Sequence, residues 1–217
     1  METVLILDFG AQYSQLIARR VREQNVYCEV KPCSISPDEI RKLAPIGIIL
    51  SGGPQSVYES VSLHVDPALF SLGVPVLGIC YGCQLMAYSL GGTVAAATEA
   101  TAREYGKTLT EFDTQSAIFH GLPASSVTWM SHGDYISQVP DGFTVTAKTA
   151  VCPTAAMACP EKKLYGVQFH PEVQHTVQGS EILRRFLYSV CGASGDWTMA
   201  DYRQTAIRAI REKVGSG

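Results

Sequence analysis

Runs of aliphatic and β-branched residues, scarcely broken by a polar side chain, occupy residues 4–7, 26–30, 46–50 and 75–79. A strand that is apolar without alternation has both faces buried, which calls for a parallel sheet covered by helices on either side. Helical patterns follow in the expected places. Residues 14–23 read as a helix, Ser36-Pro37-Asp38 opens a second, residues 67–72 a third and residues 81–90 a fourth. Proline at a first helical position suits the second of these, because its missing N–H would be unpaired there anyway. Strand and helix in alternation predict an α/β fold, and ligand sites in such sheets lie outside the carboxyl ends of the strands. The turns Phe9-Gly10, Ser51-Gly52-Gly53 and Cys80-Tyr81-Gly82 each close a strand and so converge on one edge.

The pattern changes from about residue 92 to 149. Shorter segments and turn signals, such as Glu111-Phe112-Asp113 and Pro140-Asp141-Gly142, predict a smaller region of mixed or antiparallel strands. Residues 164–169 are again apolar and end at His170-Pro171-Glu172, and residues 180–190 read as a helix. Cys191-Gly192 closes a compact domain over residues 1–192. Residues 193–217 read as a linker and a further helix, with Met199, Tyr202, Ala206, Ile210 and Val214 on one apolar stripe. Two readings stay open for that helix: it folds back on its own domain, or it leads into another.

Charge and composition exclude some partners. The 217 residues carry a formal charge of −3 and no basic patch, which leaves nucleic-acid binding without electrostatic support. No apolar run approaches the roughly 18–20 residues that span a bilayer, and the N-terminus METVLILDFG lacks the features of a signal peptide. A cytoplasmic protein is expected. Its cysteines, Cys28, Cys33, Cys80, Cys83, Cys152, Cys159 and Cys191, are then small core residues rather than a disulfide framework.

Cys80 needs a separate account. Gly78-Ile79-Cys80-Tyr81-Gly82 is a G-x-C-x-G between a strand and a helix, the cysteine counterpart of the hydrolase nucleophile elbow. Such a turn lifts the sulfur out of the sheet to a helix N-terminus, where the thiolate is favoured. Taken alone, Cys80 fits a buried cysteine in a glycine-rich turn equally well. A thiol nucleophile needs a base, and the base needs an acceptor to fix its tautomer. His170 and Glu172 supply both at another strand end, although His170 alone would fit a core histidine bonded to a carbonyl. Ser51-Gly52-Gly53-Pro54 offers main-chain N–H groups at the same edge. Cys80 and Cys83 also form a C-x-x-C, but no thioredoxin-like context follows and a redox pair leaves His170-Pro171-Glu172 unexplained. A zinc set of Cys80, Cys83, His170 and His175 has its two pairs too far apart for a compact finger.

These motifs resemble the class I glutamine amidotransferase domain. The resemblance rests on Asp8-Phe9-Gly10-Ala11-Gln12-Tyr13, Leu50-Ser51-Gly52-Gly53-Pro54, Gly78-Ile79-Cys80-Tyr81-Gly82-Cys83-Gln84, Trp129-Met130-Ser131-His132-Gly133-Asp134 and Gly166-Val167-Gln168-Phe169-His170-Pro171-Glu172. It covers about residues 3–190, and the first and fourth segments are similar to the GMP synthetase branch. The resemblance implies a flavodoxin-like, mostly parallel sheet and a Cys80–His170–Glu172 triad acting through a γ-glutamyl thioester. It further implies an oxyanion hole from Gly53 and Tyr81, and glutamine held by Gly52, Gln84, Ser131 and Gly133. The ammonia would pass to a synthetase domain that uses ATP and magnesium to convert xanthosine monophosphate to GMP, in an enzyme that is a homodimer. That domain's phosphate loop is absent, so the chain resembles an amidotransferase piece of a longer protein, with no cofactor or metal of its own. Position 83 departs from the branch, where methionine is usual; a second thiol there could make Cys80 oxidisable. Another amidotransferase, a γ-glutamyl hydrolase or a non-catalytic glutamine-binding module on the same scaffold remain alternatives.

Overall fold

The computed structural model describes residues 1–11, 13–59, 62–97 and 103–215. Gln12 of the opening motif, the side chain of Ala206 and the terminal Ser216-Gly217 lie outside the described residues.

The strands of the first half form as the apolar runs predict: β1 (Thr3–Asp8), β2 (Tyr27–Pro32), β3 (Gly47–Leu50) and β4 (Val76–Ile79). With β11 (Leu164–Val167) they make the parallel half of a sheet that has nine strands among the described residues, ordered β2-β1-β3-β4-β11. Alternation of side chains across these strands explains their unbroken hydrophobicity. Val4, Ile6, Ile49, Leu77, Ile79 and Val167 join one core, and Leu5, Leu7, Ile48, Leu50, Val76 and Leu164 join another on the opposite face. The first core is roofed by α1 (Ser14–Glu23) through Ile17 and Val21, and by α4 (Gly179–Arg185) through Ile182 and Leu183. The second is roofed by α2 (Pro37–Leu43) through Ile40, and by α3 (Tyr81–Ser89) through Leu85 and Met86. Each such side chain contributes about 1.5–3 kcal/mol on leaving water, so neither layer of helices is dispensable.

Local chemistry sets the helix ends. Ser36 caps α2 reciprocally with Glu39: the Ser36 hydroxyl accepts the Glu39 N–H at 3.2 Å and the Glu39 carboxylate accepts the Ser36 N–H at 3.1 Å. The helix expected at residues 67–72 is a single 3₁₀ turn, Pro67–Ser71, capped by Asp66. The helix expected at residues 180–190 changes to a π-helical turn at Phe186–Val190.

The antiparallel region does not form a body apart. Beyond β11 the same sheet runs on through β10 (Ala156–Cys159), β9 (Thr144–Lys148), β6 (Glu104–Phe112) and β7 (Ser125–His132), all antiparallel. Strand β10 is missing from the sequence expectations; Ala156-Met157-Ala158-Cys159 carries weak strand propensity and is fully buried. A separate pair, β5 (Thr93–Ala96) and β8 (Asp134–Gln138), lies beside α3. Residues 193–197 stay on the domain: Trp197 is buried and its N–H reaches the Asn25 carbonyl. Helix α5 (Met199–Val214) touches the domain where Tyr202 stacks on Tyr27, while Met199, Ile210 and Val214 of its stripe stay exposed.

Candidate active site

Cys80 stands between β4 and α3 with φ 51° and ψ −107°, a backbone conformation that an L residue enters only under strain. The strain is held by packing and by bonds. Its N–H donates to the Val167 carbonyl at 2.8 Å, and its carbonyl accepts the N–H groups of Cys83 and Gln84 at 3.0 and 3.1 Å. The flanking glycines let the turn pass this close to its neighbours. A Cβ on Gly82 would meet the Leu50 side chain and carbonyl at 2.6 Å, and one on Gly78 would meet the Gly82 backbone at 2.6 Å. The Gly82 N–H donates to the Ser51 carbonyl at 3.1 Å, which ties the elbow to the Ser51-Gly52-Gly53 turn.

The second strand end brings the base. His170 follows β11, its N–H donating to the Trp129 carbonyl at 3.0 Å while the Thr176 hydroxyl donates to the His170 carbonyl at 2.6 Å. The ring bonds Glu172 through Nδ1 to Oε1 at 2.7 Å and stands beside Cys80 across Gly52, while the Cys80 sulfur lies 3.7 Å from the Ser131 carbonyl. Pro171 turns the chain so that residues two apart serve one site, where an extended strand would have separated them. Gly52 makes room for this meeting: a Cβ there would lie 3.2 Å from His170 Cε1 and 3.8 Å from Cys80 Cβ. Glu172 is buried, and its second oxygen has no hydrogen-bond partner among the described residues, so its pairing is spent on His170. Arg20 from α1 donates to the Glu172 carbonyl at 2.9 Å and steadies its backbone.

The electrostatics follow from burial and pairing. Burial works against a charge on His170, but hydrogen bonds and charge interactions with Cys80 and Glu172 outweigh it and raise the His170 pKa to about 11. The imidazole is therefore a cation beside the sulfur, and a cysteine is nucleophilic as its thiolate.

A cavity of about 380 Å³ opens over Cys80. Gly53, Tyr81, Gln84, Ser131 and Gly133 line it, together with Pro54, Tyr105 and Asp134. Gly52, His170 and Glu172 stand behind the sulfur rather than in the lining. Cys83 takes no part in the cavity. It is wholly buried against Gly166, and burial pushes its thiol well above the ordinary cysteine range. A protonated, enclosed thiol is poorly placed to trap Cys80, contrary to the expectation of an oxidisable pair.

A protein-family model described as glutamine amidotransferase class-I matches residues 5–190. The chain belongs to the class I glutamine amidotransferase family. Two curated relatives, both called GMP synthase [glutamine-hydrolyzing], place it more closely. That of Clostridium botulinum (strain Alaska E43 / Type E3) is 54% identical over 216 residues, covering 100% of this chain and 42% of the relative. That of Geobacillus kaustophilus is 53% identical over 214 residues, 99% of this chain and 41% of the relative. The chain thus spans under half the length of these relatives. A solved structure from Thermoplasma acidophilum, described as one subunit of a GMP synthase, matches with a TM-score of 0.76 at 30% identity, over 95% of this chain and 98% of that one. A glutamine amidotransferase from Thermotoga maritima shares the fold, with a TM-score of 0.68 at 19% identity over 88% and 99% of the two chains.

Sequence reasoning left some of this amidotransferase site unassigned. Gln168 lies inside a quoted motif, yet nothing in its local pattern shows that its amide donates to Cys80 Sγ at 3.6 Å and accepts from Gln84 at 3.1 Å. Asp134 accepts from Ser56 and, at 2.9 Å, from Tyr58, which fastens the 53–59 loop beside the cavity. Both contacts join segments tens of residues apart. No helix among the described residues is long and apolar enough to cross a membrane.

Proposed function

We propose that this chain hydrolyses the side-chain amide of glutamine, with Cys80, His170 and Glu172 as its catalytic groups. The observation that carries the reading is the Glu172–His170 pair standing beside Cys80, at the foot of a cavity of about 380 Å³. Cys80 Sγ attacks the amide carbon and the carbonyl oxygen becomes an oxyanion. The N–H of Tyr81 faces it, because the first N–H groups of a helix have no intrahelical partner. The Gly53 N–H supplies the second donor. His170 gives its proton to the leaving nitrogen, which departs as ammonia and leaves a γ-glutamyl thioester. His170 then takes a proton from the attacking water, and the thioester opens to glutamate and the free thiol. Glu172 fixes the tautomer and offsets the charge of the imidazolium.

Gln84, Ser131 and Gly133 are placed to hold the α-amino and α-carboxylate groups, with Gly52 at the back of the site. Both N–H bonds of the Gln84 amide are already given to the Asp134 carbonyl and Gln168. Gln84 therefore offers its oxygen, an acceptor that suits an ammonium group.

The ammonia is delivered to a synthetase unit that adenylates xanthosine monophosphate with ATP and magnesium and releases GMP. Two features support this: the names of the relatives and the fraction of their length that the chain spans. That unit is a further domain after the segment 193–217, in a cytoplasmic enzyme that works as a homodimer, and no cofactor is held by the amidotransferase domain itself. A glutamine-analogue electrophile tests the reading. Mass spectrometry should find Cys80 as the labelled residue, with protection by glutamine and no label in Cys80→Ala. Labelling spread over the other cysteines would sink it.

A further inference from the structure

Behind the wall of the cavity lies a buried polar cluster that the chemistry above does not use. His132 lines the cavity with Ser131 and Gly133 on either side of it, while its side chain, 1% exposed, is buried. Its Nδ1 lies 2.9 Å from the Asp134 carbonyl, which can only accept, so Nδ1 carries a proton. Its Nε2 faces Glu104 Oε2 at 3.4 Å. The other Glu104 oxygen accepts the Thr149 hydroxyl at 2.7 Å, and Thr149 Oγ1 accepts the Cys152 N–H at 2.9 Å. From the Asp134 carbonyl the bonds continue to the Gln84 amide at 2.8 Å, to Gln168 at 3.1 Å and to Cys80 Sγ at 3.6 Å. Glu104 is thereby linked to the nucleophile through an unbroken series of hydrogen bonds.

The place of this cluster in the sheet shows what it does. Among the described residues strand β7 is the outermost and pairs with β6 alone, with Glu104 opposite His132 at the end of the ladder. The cavity wall runs from that strand end through Gly133, whose carbonyl accepts the Ala97 N–H at 2.9 Å, into β8, so His132 stands where the wall passes from one ladder to the other. Cys152 brings a sulfur within 4.8 Å of the Glu104 and His132 ligand atoms. Thr149 already occupies the second carboxylate oxygen, and no Glu104, His132 or Thr149 oxygen or nitrogen is left buried without a partner. The cluster is complete as a hydrogen-bonded clamp.

We propose, building on the glutamine reading of the cavity, that Glu104 acting through His132 is a positioning residue that clamps the glutamine-binding wall at Ser131–Asp134. Loss of the clamp loosens the contacts to the α-amino and α-carboxylate groups and leaves the Cys80–His170 chemistry in place. Glutamine hydrolysis by the full-length protein tests it. Glu104→Ala should raise KM for glutamine roughly tenfold or more, with kcat held within about threefold. Glu104→Gln should restore KM to within about threefold of the parent, since its oxygen still accepts from Thr149 and its amide donates to Nε2. Alkylation of Cys80 by iodoacetamide, which needs no glutamine subsite, should keep its parental rate in both variants. If Glu104→Ala does not fold, Thr149→Val carries the test, with a smaller rise in KM alone. An unchanged KM in Glu104→Ala, a loss confined to kcat, or a Gln variant as impaired as the Ala variant overturns the clamp. A parent protein that does not hydrolyse glutamine overturns the glutamine reading itself, and the clamp with it.

Discussion

At the residue scale, the site depends on the charge state of one imidazole. With a folded-state pKa near 11 against an ordinary value of 6.5, His170 binds its proton more tightly in the native protein than in the unfolded chain. Its contribution to stability is therefore fully present below about pH 6.5 and is lost as pH rises towards 11. The difference in unfolding free energy between the parent and His170→Asn should shrink across that window; a difference that grows with pH would contradict the pairing. Cys80→Ala should lower the rate of glutamine hydrolysis by at least about a thousandfold while leaving the fold intact, since nucleophile and base act as a unit. A steady-state glutaminase assay beside a circular dichroism spectrum checks both halves. Cys83 marks the limit of a residue-level reading: its spacing from Cys80 is visible in the sequence, but only its burial against Gly166 shows that it packs rather than reacts.

At the scale of elements, the decisive unit is the elbow from β4 into α3. The glycines were legible as a motif, and the distances now say why no other residue fits. Gly82→Ala drives a methyl to 2.6 Å from Leu50, whose carbonyl belongs to a central strand that cannot retreat. We expect a loss of about 3 kcal/mol or more, from overpacking a site that backbone walls on one side. Urea denaturation measures it; a change under about 0.5 kcal/mol would mean that α3 can slide off the sheet. Elements of the parallel half were readable because both of their faces are buried. Strand β10 was not, because its Ala-Met-Ala-Cys sequence gains its conformation from hydrogen bonds to β9 and β11 and not from its own propensity.

At the scale of the whole molecule, one sheet runs from the parallel half through the antiparallel half, and the site is assembled across that junction. Cys80 comes from the parallel side, Ser131 and Gly133 from the end of the outermost antiparallel strand, and His170 from the strand at the boundary. The segment after residue 192 divides into a docked part and a free part. Trp197 is buried against the domain and lies 5.9 Å from the Tyr27 ring, whereas Ile210 is 61% exposed. Trp197→Ala should destabilise the domain by about 3 kcal/mol, and Ile210→Ser should change stability by less than about 0.5 kcal/mol. Paired thermal melts distinguish the two, and equal losses would mean that the exposed stripe of α5 packs on the domain in solution.

The alternation of strands and helices in the first ninety residues, the parallel core and the choice of Cys80, His170 and Glu172 as candidates came from sequence alone. Those properties reside in local periodicity, turn chemistry and short motifs, each of which acts over a few neighbouring residues. Tertiary structure decided that the antiparallel strands extend the main sheet, that Cys83 is enclosed, and that Gln168 reaches the sulfur. It also decided that Glu104 stands behind His132. Each of these is a contact between segments distant in the chain, and its energy comes from burial and hydrogen bonding that exist only once the chain has closed on itself.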